Sequence, residues 1–278
     1  MNNHSLYSSL IFWYNHSRME VVDMENKEVM YHIGLSKKDI EGAKYAILPG
    51  DPGRVEQIAK FLSNYKKLTV SREYTSYLGE LDKQKVLVIS TGMGGPSTAI
   101  CVEELKLIGI EYLIRVGTCG GMQIDVEAGD IVVAQAAIRQ EGTSKEYLPV
   151  EFPAVADFKV LTALAEAAEE TKGRYHVGVV QCKDSFYGQH SPERMPVANE
   201  LLSKWDAWIK GGALASEMET ASLYTVAGYL RMHAAAVLLV VWNQEREKLG
   251  LDNKTNFDTN KEISVAIKAI RKLIEENE

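Results

Sequence analysis

The sequence predicts a single α/β domain with helices covering a central sheet. Three observations carry that prediction. From Tyr45 onward, short apolar runs alternate with helical stretches. Three glycine-rich turns, 50–54, 92–95 and 117–121, each follow a predicted strand. The run 234–241 is almost wholly apolar, as a central strand covered on both faces must be.

Taken in order, 45–48 reads as a buried strand closed by Pro49-Gly50, and 54–62 as the helix after it. Residues 68–81 and 85–90 read as strands joined by a tight turn near Asp82, the second emptying into Gly92-Met93-Gly94-Gly95. A helix over 97–108 is expected to turn Ile100, Glu104, Leu107 and Ile108 toward the sheet. Residues 112–116 return as a strand ending in a loop, Gly117-Thr118-Cys119-Gly120-Gly121, that brings backbone N–H groups close to a ligand. Strands at 131–138 and 176–181 flank an alanine-rich helix, 156–170. Prolines at 192 and 196 mark loop, and helices follow at 200–210 and 221–229. In the last helix Ile263, Ile267, Ile270 and Ile274 form one stripe, with Lys268, Arg271 and Lys272 facing outward. No linker, internal repeat or heptad divides the chain, so one domain over 31–278 is expected.

Residues 1–30 read differently. Leu10, Ile11, Phe12, Trp13 and Tyr14 make an apolar run too short to span a bilayer, without a basic flank or a small-residue cleavage site. A disordered or loosely docked extension is expected, with an oligomer contact or a membrane-surface tether as alternatives. Met19, Met24 and Met30 offer later starts.

With 38 acidic against 31 basic side chains, the formal charge of -7 offers no electrostatic footprint for nucleic acid. Cys101, Cys119 and Cys182 lack zinc-site or disulfide spacing, which points to a reducing cytoplasm. Neither the G-x-G-x-x-G of dinucleotide folds nor the G-x-x-x-x-G-K-[ST] of P-loop enzymes is present, so a free anion suits the glycine turns better than a dinucleotide.

Arg54, Arg72 and Arg115 are the basic residues beside these turns, and an arginine fork matches phosphate oxygens. Arg54 and Arg72 read equally well as solvated surface residues. Arg115 sits inside a buried strand and must find either a ligand or a carboxylate partner. Glu217-Met218-Glu219 precedes an apolar helix, where its carboxylates serve a site or simply the helix dipole. Phe186-Tyr187-Gly188-Gln189-His190 combines rings and an amide suited to stacking on a planar base, or is an ordinary aromatic loop.

Taken together the motifs resemble those of the nucleoside phosphorylase superfamily with hexameric members, and within it the uridine phosphorylases. The likeness runs from about Tyr31 to the last helix. Its anchors are His32-Ile33-Gly34-Leu35, Pro49-Gly50-Asp51-Pro52-Gly53-Arg54, Ser71-Arg72-Glu73-Tyr74, Thr91-Gly92-Met93-Gly94-Gly95, Arg115-Val116-Gly117-Thr118 and Glu217-Met218-Glu219. The pyrimidine branch rests on Glu151-Phe152-Pro153 and on the Phe186-to-Gln189 stretch.

The resemblance implies a mixed, distorted sheet flanked by helices, and a phosphate-dependent pentosyltransferase of pyrimidine salvage with no cofactor. Inorganic phosphate is the co-substrate: it attacks C1' of uridine to give uracil and ribose 1-phosphate through an oxocarbenium-like transition state. By motif, Gly50, Arg54, Arg115 and Thr118 hold phosphate, joined by Arg72 of a neighbouring chain. Glu219 takes the ribose hydroxyls, Met218 packs on the sugar, and His32 of the neighbour meets the 5'-hydroxyl. Phe186 stacks on the base, and Gln189 and an arginine read its edge. Arg194 follows Gln189 five positions on, farther than in the bacterial pattern, which puts its role in question. Arg115, Thr118, Glu219 and Gln189 are the expected catalytic set. A monovalent cation near Glu73, Met93 and Ser97, and a hexamer built from dimers, are implied likewise. Trp242-Asn243-Gln244 stands where purine enzymes of this fold commonly place an aspartate, which argues against that alternative. A nucleosidase using water and a nonenzymatic nucleoside-binding protein are the remaining ones.

Overall fold

The computed structural model describes residues 29–277. The expected extension lies outside them except for Val29 and Met30, and Met30 is buried in the core. Strand β1 (Tyr45–Pro49), a 3-10 turn (Pro52–Arg54), and helix α1 (Val55–Ala59) open the fold. The helix expected over 54–62 is therefore shorter and begins as a tight turn, because Asp51 accepts from the Gly53 amide at 2.8 Å. The stretch 68–81 proves to be a hairpin. Strands β2 (Ser63–Ser71) and β3 (Tyr74–Leu81) meet at Arg72, whose φ of 53° reverses the chain. Strand β4 (Gln84–Ile89) follows through the turn at Asp82 and Lys83.

Helix α2 (Gly95–Ile108) buries Cys101, Val102, Leu105 and Ile108, while Ile100 and Leu107 are only partly covered. The inward face is thus rotated from the expected one, and Glu104 is buried because it serves as an acceptor rather than as packing. Strand β5 (Tyr112–Gly121) runs straight through the glycines expected to form a loop. Those glycines are strand because β10 pairs with them on one side and β9 at their end. Strand β6 (Ile131–Arg139), helix α3 (Thr143–Tyr147), strand β7 (Ala154–Val155), helix α4 (Phe158–Glu170) and strand β8 (Tyr175–Cys182) come next.

The Phe186 stretch is a short helix, α5 (Phe186–His190), started by Ser185 Oγ accepting from the Gly188 amide at 2.9 Å. The 192–196 loop contains a 3-10 turn (Pro192–Arg194) and leads to helix α6 (Ala198–Lys210). The chain then forms β9 (Ala215–Glu217), α7 (Thr220–Tyr229), β10 (His233–Asn243), α8 (Gln244–Lys248) and α9 (Asn260–Asn277).

Pairing is mixed. Strand β1 lies parallel to β4 and β5, while β3 lies antiparallel to β4 and β2. Strand β10 runs parallel to β5 and antiparallel to β6, β6 parallel to β8, and β9 joins β8 to β5. Strands β5, β10, β6, β8 and β9 therefore close into a ring, from which β1, β4, β3 and β2 extend. With both edges of β10 paired, Ala234 to Val240 are buried as expected, while Val241, the last residue of the expected run, is only partly covered. Helix α9 lays Ile263, Ile267, Ile270 and Ile274 against Val160, Leu164 and Ala167 of α4. Each such isoleucine contributes about 1.5–3 kcal/mol when fully buried. Among the described residues, no helix is long and apolar enough to cross a membrane.

Candidate active site

Arg115, within β5, is met by the chain just after β1 and β4 and by the end of β9. Its Nε donates to Oε2 of Glu217 at 3.1 Å, and its Nη2 donates to Glu219. Burial alone would pull the guanidinium down, and the two carboxylates more than reverse this, so it is held firmly charged. Nη1 is buried without a partner. A side chain at Gly50 would come within 3.7 Å of that nitrogen and 3.2 Å of the Gly92 carbonyl, so glycine leaves this space open. Gly117 is similarly required: a Cβ there would lie 2.8 Å from Nη2 of Arg115.

Arg54 stands beside this space, half-buried, with its own Nη1 buried and unpartnered. Burial and the neighbouring Arg115 draw its pKa down, against Asp51 and Glu262. Arg115 and half-buried Arg54 thus each keep one buried donor nitrogen that an anion could take. Thr118 is half-buried three residues along β5 from Arg115. The surface alternative fails for Arg54, and the carboxylate alternative for Arg115 accounts for only part of its fork.

Glu219 binds Arg115 with one oxygen and accepts from the Gly94 amide with the other, at 2.6 Å. Gly94 can present that amide because its φ is 89°, which costs a glycine little. Burial, reinforced by Glu217, pushes the Glu219 carboxyl up, and Arg115 only partly offsets it. Burial acts the same way on Glu217. There Arg115 and the amides of Glu219 and Thr220 outweigh it and hold the carboxyl low. Met218 lies between them, partly exposed.

The residue before Glu217 opens a second polar cluster. Ser216 Oγ donates to Gln189 Oε1 at 2.6 Å and receives Nζ of Lys183 at 2.6 Å, with Gln181 also in reach. Gln189 in turn donates to Gln244 at 3.2 Å. Gln189 and Gln244 face a cavity of about 270 Å³ walled by Gln140, Gln181, Trp208 and Trp242. Lys183 was missed by sequence reasoning. Its signal was a lysine directly after a buried strand, where a charge needs a partner. Burial lowers its pKa, with Glu217 opposing. His190 beside Phe186 is likewise held down by burial and by Lys183.

Other expected residues lie elsewhere. The Arg194 guanidinium stacks 5.1 Å from the ring centre of exposed Tyr187 and is not among the residues lining the cavity. Phe186 is half exposed at the start of α5. Glu151, Phe152 and Pro153 do not line the cavity either; Arg139 holds that stretch through the carbonyls of Leu148, Pro149 and Phe152. Asn243 is spent structurally, donating to Gln123 and Val126 carbonyls and accepting from the amides that start α8. His32 Nδ1 bonds Glu104 at 2.6 Å, and Arg72 packs on exposed Tyr31. Glu73 and Ser97 flank Gly92, and Ser97 Oγ donates to the Met93 carbonyl at 3.2 Å. Cys119 is buried with its thiol pushed up, which removes it as a nucleophile.

A family model described as the phosphorylase superfamily matches residues 44–275, which include every candidate site residue except His32. The chain belongs to the phosphorylase superfamily. Within that superfamily it is 55% identical over 244 residues to a uridine phosphorylase of Treponema pallidum, covering 88% of this chain and 94% of the relative. It is 38% identical over 252 residues to the uridine phosphorylase of Escherichia coli, covering 90% and 100%. A guanosine phosphorylase of Halorubrum lacusprofundi is 40% identical over 212 residues, covering 76% and 83%. The relative named for a purine nucleoside is thus less similar than the uridine phosphorylase of Treponema pallidum, at 40% against 55% identity.

Proposed function

We infer that this chain is a uridine phosphorylase, catalysing the reversible attack of inorganic phosphate on C1' of uridine. The observation that carries the reading is the connection through β9. Ser216 holds Gln189 at the base end, and the adjoining Glu217 holds Arg115 at the anion end.

Phosphate would lie over Gly50 between Arg54 and Arg115, with Thr118 beside it. Being a competent nucleophile, phosphate needs placement rather than activation. As its oxygen bonds to C1', the C1'–N1 bond breaks and the bonding pair leaves with uracil. Glu219, fixed by Arg115 and Gly94, is placed to accept from the ribose hydroxyls, with Met218 against the sugar. Gln189 offers both a donor and an acceptor to the uracil edge, and Phe186 a ring face. The charge growing on the base would be met by Gln189 and by Lys183, the cation in the same cluster, with Arg194 left on Tyr187. Asn243, fully engaged in backbone bonds, is not available to protonate a purine.

Arg72 and His32 both pack on exposed Tyr31 and neither bonds Arg54, Arg115 or Glu219, which supports sites completed by a second copy within a hexamer of dimers. Glu73, Met93 and Ser97 offer oxygen donors of the kind an alkali cation takes. The chain would work in the cytoplasm without a cofactor.

The test is product analysis with uridine, thymidine, inosine and guanosine, each with and without phosphate. Uracil and ribose 1-phosphate formed only with phosphate are expected. A higher kcat/KM for inosine or guanosine would move the chain to the purine branch, and release of base without phosphate would make it a hydrolase.

A further inference from the structure

Ser216 sits in β9 between two neighbouring strands, opposite Gln181 of β8 and Gly120 of β5. It is 3% exposed and does not line the cavity, yet its hydroxyl meets three side chains. Nζ of Lys183 donates to Oγ at 2.6 Å, and Oγ lies 2.5 Å from Oε1 of Gln181 and 2.6 Å from Oε1 of Gln189. Packing between the strands asks for a small residue here, as at buried Ala215 beside it, but not for a hydroxyl.

The proton count gives that hydroxyl a direction. An ammonium only donates, so Lys183 takes a lone pair of Oγ and the hydroxyl proton is left for the glutamines. Both remaining contacts have the length of O–H···O bonds and are shorter than the usual N–H···O distance of about 2.9 Å, so each glutamine turns its carbonyl to Ser216. Gln181 is held the same way round at its far end, where Nε2 donates to Gln140. For Gln189 this orientation sends Nε2 to Gln244 Oε1 at 3.2 Å, at the wall of the cavity. One amide hydrogen and one carbonyl lone pair of Gln189 are then left for a ligand.

Which way round that amide lies decides what it can read. In the observed orientation the carbonyl meets a ring N–H and the amino group meets the carbonyl oxygen beside it, the pattern uracil shows at N3. Turned over, the same amide matches cytosine, whose N3 is an acceptor next to an amino donor.

We propose that Ser216 is a positioning residue for base selection, which with Lys183 behind it fixes the Gln189 amide in the orientation that accepts uracil and refuses cytosine. This rests on the reading of Gln189 as the residue that meets the base edge.

Steady-state phosphorolysis of uridine and of cytidine by the full-length enzyme, with Ser216→Ala, Gln189→Ala and the double variant Ser216→Ala/Gln189→Ala, tests this. The wild type is expected to prefer uridine by more than about a hundredfold in kcat/KM. In Ser216→Ala the amide is free to turn, and kcat/KM for cytidine should rise about tenfold, the scale of one lost hydrogen bond, while that for uridine falls less. A merely structural defect would lower both. In the Gln189→Ala background, loss of the hydroxyl should leave the ratio of the two unchanged, because Ser216 acts through Gln189. Cytidine kcat/KM no higher in Ser216→Ala than in wild type overturns the proposal, as does an equal rise in the Gln189→Ala background. No phosphate-dependent cleavage of uridine by the wild type, or an unchanged ratio in Gln189→Ala, would instead defeat the reading of the base site and this inference with it. Should Ser216→Ala not fold, Ser216→Cys, whose thiol is a weak donor, decides by the same measurement.

Discussion

Nε of Arg115 donates to Oε2 of Glu217 at 3.1 Å, a bond that ties β5 to β9 across 102 residues of chain. With the bond from Nη2 to Glu219 it fixes the guanidinium plane and leaves Nη1 without a partner. The same bond ends on the residue next to Ser216, which bonds Gln189, so one short strand joins the Arg115 and Gln189 clusters.

Replacing Arg115 with alanine should therefore damage both function and fold. Glu217 and Glu219 would be left as buried carboxylates without their cation, a loss of about 3–5 kcal/mol. Phosphate KM should rise sharply and turnover fall by roughly two orders of magnitude or more. Denaturant unfolding and phosphate kinetics check the two effects. Near-native phosphate kinetics in a folded variant would return Arg115 to a structural role.

Gln189→Ala should cost about 1–3 kcal/mol in kcat/KM for uridine, the penalty for leaving buried polar groups of the base unmatched. Arg194→Ala should change kcat/KM less than about threefold, because losing an exposed stack on Tyr187 is worth only ~0.5–1 kcal/mol and does not touch the site. An equal loss in both variants would bring Arg194 to the base.

Lys183→Met should retain substrate binding better than turnover, since a cation near the leaving base matters most when charge develops. A fall of about a hundredfold in kcat with a small change in uridine KM is expected. Equal effects on a substrate whose base leaves readily, such as a nitrophenyl riboside, would remove Lys183 from leaving-group stabilisation.

Mixing Arg72→Ala chains with Glu219→Ala chains, each inactive alone, should restore part of the activity once subunits exchange. Mixed dimers would contain one site with both native residues. No recovery after exchange is demonstrated by mass spectrometry would mean that each chain builds its own site.

Glu262, buried in the first turn of α9, makes a stability prediction with a definite sign. Its folded value, about 8, lies above the ordinary carboxyl value of 4.5. The folded state therefore binds the proton more tightly, and the stability this confers is present below 4.5 and lost as pH rises through 8. Glu262→Gln should abolish that loss, making the variant more stable than wild type at alkaline pH by up to a few kcal/mol. Parallel stability–pH curves for the two proteins would show Glu262 to titrate normally.

The sequence by itself determined the elements whose signal is periodic or continuous. The isoleucine stripe of α9 and the apolar run of β10 are one-dimensional patterns that burial enforces wherever they occur. It also determined that Arg115, within a buried strand, had to find a partner. Only the tertiary structure decided what those partners are. The glycine-rich stretch 117–121 became strand because β10 and β9 supply its hydrogen bonds, and local propensity cannot count partners that lie so far along the chain. The hairpin turn at Arg72 rests on a positive φ that arginine does not advertise. Lys183, Glu262 and the rotated face of α2 were hidden for the same reason. Which polar side chains end up inside is decided by the packing of distant segments, and that packing exists only after the chain has folded.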